Sequence, residues 1–292
     1  MGKVLNSKFF LKKTLKKLKI KRAETVGILA GLLAGLIFLN LLTIQQLLTV
    51  KNDNSVYLLN KIIPKKIIEN KTTDQVAIFM YHHVQNHEEA DNDFQARLSI
   101  SVSEFENQLK YLNENGFTTL TSQKIIKKHV PEKSVWLTFD DGYKDMYTNV
   151  LPLMEKYKTK GTFYIITNKV GMPGYLNWKQ IAQLKKAGME IGCHTKNHYN
   201  LTSLSDNFLN EEIITSKQEL EKKLKTTIIA FSYPIGKFDE KVKTKVKEVG
   251  FKVAVTTQPE TANLKKDLIQ LPRIRINSGI TLKTFERSLA QK

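Results

Sequence analysis

The chain has 292 residues, 41% hydrophobic and 25% charged, a composition that excludes wholesale disorder. Its 46 Lys and Arg against 28 Asp and Glu leave a net charge of +18, which raises nucleic acid, an acidic polymer or an anionic membrane as partners until the charge is located. One cysteine, Cys193, excludes an intramolecular disulfide framework and any multi-cysteine zinc site.

Residues 1–25 hold nine basic side chains and one acid, so this short tail carries +8 of the total. From Val26 to Ile44 follow nineteen uncharged residues, long enough to cross the roughly 30 Å hydrocarbon core as one helix. A cleaved secretory signal is the alternative; its apolar region spans about 7 to 15 residues and ends at a small-x-small site, and neither fits here. A retained single-pass anchor is therefore expected. Lysines crowd the side before the span, so the N-terminus is expected in the cytoplasm and the larger part of the chain outside the cell. That placement leaves no role for nucleic acid and makes the basic tail a topology signal. Gly27, Gly31 and Gly35 repeat every fourth residue, a pattern that lets two membrane helices approach closely in a homodimer.

Residues 45–75 mix polar and short apolar stretches around Pro64 and read as an extracellular stalk. From residue 76 strand-like and helix-like segments alternate to residue 292. VAIFMY (76–81) reads as an apolar strand, and Ser103 with Glu106 reads as a capping box before a helix that ends at Asn115-Gly116. Strands follow at 134–140, 161–166, 189–194, 227–233, 251–256 and 271–276. Helices fall between them, through Met154, after Asn177, near 207–224 and near 239–249. This alternation predicts an α/β fold with a parallel sheet, open or closed into a barrel whose chemistry sits at the C-terminal strand ends.

Three strings at strand ends carry chemical groups. Thr138-Phe139-Asp140-Asp141-Gly142-Tyr143 places two adjacent carboxylates where a strand meets a glycine turn, so that one can bind a cation while the other stays free as a base. His194-Thr195-Lys196-Asn197-His198 places two imidazoles at i and i+4, the spacing that lets both meet one ion from a helical turn. Phe231-Ser232-Tyr233-Pro234-Ile235-Gly236 ends the next strand in a turn whose N–H groups can face an oxyanion.

In this order, TFDDGY, HTKNH and FSYPIG resemble the three motifs of the NodB-type polysaccharide deacetylases of carbohydrate esterase family 4, over about residues 76–276. The MYHHV string (80–84) is similar to the poly-N-acetylglucosamine deacetylase branch, in which the motif order is permuted. The resemblance implies a distorted (β/α) barrel, preceded here by the single transmembrane helix. It also implies a divalent metal, zinc above all with cobalt, nickel or iron as alternatives, on Asp141, His194 and His198. Asp140 is implied as general base, a backbone N–H near Ile235 as oxyanion donor, and Tyr143 and Tyr233 beside the substrate. No His follows His198, so the acid is assigned to His82, with His83 as the second choice. The third motif holds Ser232 where the family has an arginine that pairs with the base; Arg273 or Arg275 in LPRIRI is expected to supply that cation. Trp178 is placed in a sugar groove. Cys193 is read as a buried core residue, because neighbours along a strand face opposite ways. The implied activity is removal of N-acetyl groups from N-acetylglucosamine units of an exopolysaccharide or peptidoglycan. The alternative is a polysaccharide-binding protein whose catalytic site has decayed.

Overall fold

A computed structural model describes residues 71–290 apart from 87, 89 and 91, which fall in a compact unit, Asn70–Lys292. The basic tail, the apolar run with Gly27, Gly31 and Gly35, and the stalk up to residue 70 lie outside the described residues. Among the described residues no helix is long and apolar enough to cross a membrane.

The strands in chain order are β1 (Thr72–Thr73), β2 (Gln75–Tyr81), β3 (His83–Val84), β4 (Ser99–Ile100), β5 (Thr118–Thr119), β6 (Val130–Pro131), β7 (Ser134–Phe139), β8 (Gly161–Ile165), β9 (Glu190–Cys193), β10 (Ala230–Ser232), β11 (Val253–Val255), β12 (Ala262–Asn263) and β13 (Ile274–Arg275). The main sheet runs β11-β10-β9-β8-β7-β2-β12, with β13 also on β2 and β5 beside the start of β7. All its pairings are parallel except β12 with β2. β1 pairs with β6, so the folded unit takes in residues before the expected boundary at 76.

Parallel strands covered on both faces bury every side chain, and β2 and β7 do so almost without exception. Alternate residues divide between two apolar clusters. Val76, Ile78, Trp136, Tyr164, Ala230, Val253 and Val255 fill the concave side of the curled sheet. Their neighbours Phe79, Leu137, Phe139, Phe163, Ile191, Phe231 and Ala254 pack outward against helices through Leu109, Ile181, Leu220 and Val246. The concave side is tight at Gly192, where a Cβ would lie 2.4 Å from the Tyr164 ring.

The curl stops short of the expected barrel. No α-helix separates β11 from β13; only β12 and a single 3-10 turn, Leu268–Gln270, lie between them, and the segment that follows crosses the seam instead of lining it. Leu271 bridges to Val255 on one edge, and Ile274 and Arg275 pair with Phe79 and Met80 on the other. Pro272 between them has no N–H to give a ladder.

Three local expectations need correction. The first long helix is Val102–Glu114, capped by Ser101 accepting from the Glu104 N–H, so the cap lies two residues before Ser103. The helix expected near 207–224 contains one wide π turn at Glu211–Thr215, between Asp206–Asn210 and Ser216–Leu224. A second π turn, Met146–Val150, leads into the helix Leu151–Lys156. The strand expected at 227–233 shrinks to Ala230–Ser232.

Candidate active site

Strand alternation decides which polar groups reach the concave side. Asp140 continues the inward set of Trp136 and Thr138, His194 that of Gly192, and Ser232 that of Ala230. Asp140 is tied into the sheet by its N–H, which donates to Tyr81 O at 2.9 Å. Asp141 and Gly142 then adopt φ of 74° and 79°, a left-handed pair that turns the chain and swings the second carboxylate to the mouth of the curl.

Arg273 is fully buried and meets Asp140 as a fork, Nη1 to Oδ1 at 2.8 Å and Nη2 to Oδ2 at 2.7 Å. Its remaining donors go to Thr256 O, Thr138 Oγ1 and Ser232 Oγ. Burial alone would raise the Asp140 carboxyl; the Arg273 guanidinium outweighs it and holds the group at about 2. Of the two arginines expected to replace the missing cation, Arg273 makes the pair. Arg275 instead lines the cavity, half-buried. Ser232 bonds both members of the pair, with its Oγ 3.3 Å from Asp140 Oδ2.

Asp141, His194 and His198 converge, each offering one ligand atom, all within 4.8 Å of one another. The Nε2 atoms of His194 and His198 stand 3.3 and 3.6 Å from Asp141 Oδ1. That oxygen is buried yet accepts no hydrogen bond. His194 Nδ1 lies 2.7 Å from Ser232 O, which can only accept, so Nδ1 donates there and Nε2 is the nitrogen turned toward the carboxylate and placed to coordinate. Three ligand atoms, one of them an orphaned buried oxygen, fit a cation. Burial and the neighbouring His194 push His198 down to about 4, keeping its ring neutral and able to coordinate. The two imidazoles do not share a helical face as expected. A loop joins them, with Thr195 and His198 left-handed at φ 64° and 65° and the His198 N–H bonded to Thr195 Oγ1.

These groups open into a cavity of about 570 Å³ lined also by His82, Tyr143, Tyr175, Phe94 and Ile235. His82 is within it, its Nδ1 buried without a partner; burial lowers its pKa and the charges of Asp141 and Asp140 oppose this. His83 is engaged elsewhere, by Asp145 at 3.1 Å and by the Tyr143 ring stacked at 3.7 Å. Tyr143 stays a neutral donor, because burial and the Asp141 charge push its phenol up. Ile235 is half exposed with φ 49°, and its N–H has no acceptor among the described residues.

Two expected substrate residues do not present free groups. Tyr233 lines the cavity, but its hydroxyl donates to Ile269 O and its N–H to Val255 O. Trp178 lies outside the cavity at the start of the helix Trp178–Lys186, packed on the core with Lys223 Nζ over its ring at 5.5 Å. Cys193 faces the outer core, its thiol against Ser216 Oγ and pushed up to about 11 by burial. Phe94 and Tyr175 were absent from the reading because they belong to loops and a short helix that carry no pattern tied to the site.

A family model described as polysaccharide deacetylase matches residues 127–254. A solved Streptococcus pyogenes deacetylase, PplD, in complex with acetate is 31% identical and superposes with a TM-score of 0.69 over 74% of this chain and 98% of its own. The chain belongs to the polysaccharide deacetylase family. It is accordingly a hydrolase, and the curled sheet is the fold of that family. Bacillus subtilis (strain 168) YxkH, whose name places it among polysaccharide deacetylases, is 28% identical over 75% of this chain and 77% of its own. A poly-beta-1,6-N-acetyl-D-glucosamine N-deacetylase of Staphylococcus aureus (strain MRSA252) is 27% identical over 61% of this chain and 68% of its own.

Proposed function

We propose that this deacetylase is metal-dependent and removes acetyl groups from N-acetylglucosamine units of an extracellular poly-N-acetylglucosamine or of peptidoglycan. The convergence of Asp141, His194 and His198 beside an Asp140 locked by Arg273 carries the reading. A divalent cation of the zinc type on those three residues would acidify a water and polarise the acetyl carbonyl. Asp140 takes the proton of the attacking water; Arg273 keeps its carboxylate ionised and oriented for that transfer. The Ile235 N–H donates to the oxygen that gains charge as the carbonyl is attacked. His82 then gives a proton to the nitrogen as the C–N bond breaks, releasing acetate and a free amine. Tyr143, Tyr175 and Phe94 offer ring faces for a sugar in the same cavity.

The alternative of a decayed binding protein is disfavoured by Arg273, which restores the ion pair that the third motif lacks. The β-1,6-linked polymer is favoured over peptidoglycan by the Staphylococcus aureus relative and by the His82-His83 string. An outward-facing, membrane-anchored placement rests on the basic tail and apolar run of residues 1–44. The test is acetate release from β-1,6 and β-1,4 N-acetylglucosamine oligomers, with zinc and with chelator. Faster release from β-1,6 oligomers that stops on chelation is expected. A zinc-loaded, folded protein that releases acetate from neither polymer refutes the reading.

A further inference from the structure

The two imidazoles of the proposed metal site are held by different means. His194 is fixed twice, its N–H donating to Ile165 O at 3.0 Å within the sheet and its Nδ1 to Ser232 O at 2.7 Å. His198 has neither support. Its ring touches Asp141 at 3.6 Å and the His194 ring at 4.7 Å, and its position depends on the turn that begins at Thr195. That turn is strained at both ends, since left-handed φ at a non-glycine residue is unfavourable. Something must hold it in place.

The holding group is Glu212. It is 3% exposed and sits on the π turn Glu211–Thr215, which follows the loop in sequence and returns alongside it. Its Oε2 accepts the two peptide N–H groups between the strained residues, Lys196 at 3.2 Å and Asn197 at 2.8 Å. Its Oε1 accepts Asn197 Nδ2 at 2.5 Å, and Asn197 Oδ1 in turn accepts Asn168 Nδ2. One buried carboxylate thus satisfies the whole inner edge of the turn.

We infer that Glu212 is a positioning residue for the metal ligand His198: it pre-forms the 195–198 turn and so raises metal affinity without touching the ion. The inference rests on the metal-dependent reading of the site. Supporting groups of this kind are worth about 10- to 100-fold in metal affinity. Glu212→Gln keeps the volume but leaves one acceptor oxygen where two served three N–H donors, so it loosens the turn while preserving the fold.

The experiment is zinc affinity of the full chain by competition with a chromophoric chelator, for wild type, Glu212→Gln, His198→Ala and the double variant. Glu212→Gln is expected to weaken zinc binding by about 10- to 100-fold in the wild-type background and by less than about twofold in the His198→Ala background. A purely structural carboxylate would lower the melting temperature of the zinc-free protein equally in both backgrounds and leave affinity alone. Zinc affinity within twofold of wild type, or an equal loss in both backgrounds, overturns the inference. Should Glu212→Gln not fold, Asn197→Ser removes the Oε1 partner and leaves the backbone bonds; a loss below about tenfold supports the assignment, and no loss overturns it. A wild-type chain that binds no zinc refutes the metal site itself, a separate result.

Discussion

Replacing Arg273 by methionine tests the ion pair on which Asp140 depends. The arginine is 0% exposed and donates five hydrogen bonds, two of them to a carboxylate that is itself buried. Removing one partner of such a pair strands the other charge and costs about 3 to 5 kcal/mol, a large share of the roughly 5 to 15 kcal/mol that holds a domain folded. The pH dependence has a definite sign. In the wild type the Asp140 pKa falls from 3.8 to about 2, so its contribution is complete above pH 4 and is lost as pH falls through about 2. In Arg273→Met burial no longer meets that opposing charge, and the folded-state pKa rises above 3.8. Stability is then present at low pH and lost as pH rises through the new value. The destabilisation measured in urea with chelator present should therefore be largest at neutral and alkaline pH and shrink as pH falls through the raised Asp140 value. Buried Trp136 supplies the fluorescence signal. Asp140→Asn in the same chain should recover part of the loss, because no charge is left unpaired. A cost below about 1 kcal/mol, or one that grows as pH falls from neutrality toward about pH 4, would refute the reasoning.

Other outcomes follow from the same geometry. Chelation should abolish acetate release and added zinc restore it, measured by an acetate-coupled assay; activity that survives complete metal removal would dismiss the cation. His82→Asn should lower kcat by about 10²- to 10⁴-fold with KM nearly constant, since it removes a proton donor and not a binding contact. An unchanged kcat would reassign the acid. Asp145→Asn should also slow the reaction, because Asp145 holds the Val84 N–H at 2.7 Å and the His83 ring just after His82. Its effect should vanish in the His82→Asn background. Gly192→Ala should destabilise the protein by about 1 to 3 kcal/mol in a urea titration, since its Cβ would overlap the Tyr164 ring at 2.4 Å. A loss under about 1 kcal/mol would show that the ring can move.

Much of the architecture could be read because parallel strands announce themselves as short apolar runs. VAIFMY and SVWLTFD became β2 and β7 almost residue for residue. Closure of the sheet could not be read. LPRIRI has strand-like alternation, but Pro272, and a single 3-10 turn before it in place of an α-helix, leave a seam segment that pairs with two different strands. The helix boundary at Ser103 was misplaced for a related reason. Ser101-Val102-Ser103-Glu104-Phe105-Glu106 offers two overlapping Ser-x-x-Glu patterns, and the helix starts at the first, with Ser101 accepting from the Glu104 N–H.

The site was legible where its groups follow strand parity and obscure where they follow loop geometry. Asp140, Asp141 and His194 stand at strand ends, so their neighbourhood follows from the strand order. His198 reaches the same place by an unhelical turn whose conformation depends on Glu212, fourteen residues further on, which no spacing rule connects to it. Arg273 shows the remaining principle. A guanidinium need not come from the third motif to neutralise Asp140; it needs only to enter the concave side, and the seam segment brings it there opposite the vacant small side chain of Ser232. Ser232, Arg273 and Asp140 therefore form one hydrogen-bonded unit. Returning an arginine to position 232 while Arg273 remains would place two cations against a single carboxylate in a buried space, and the added charge would have no partner.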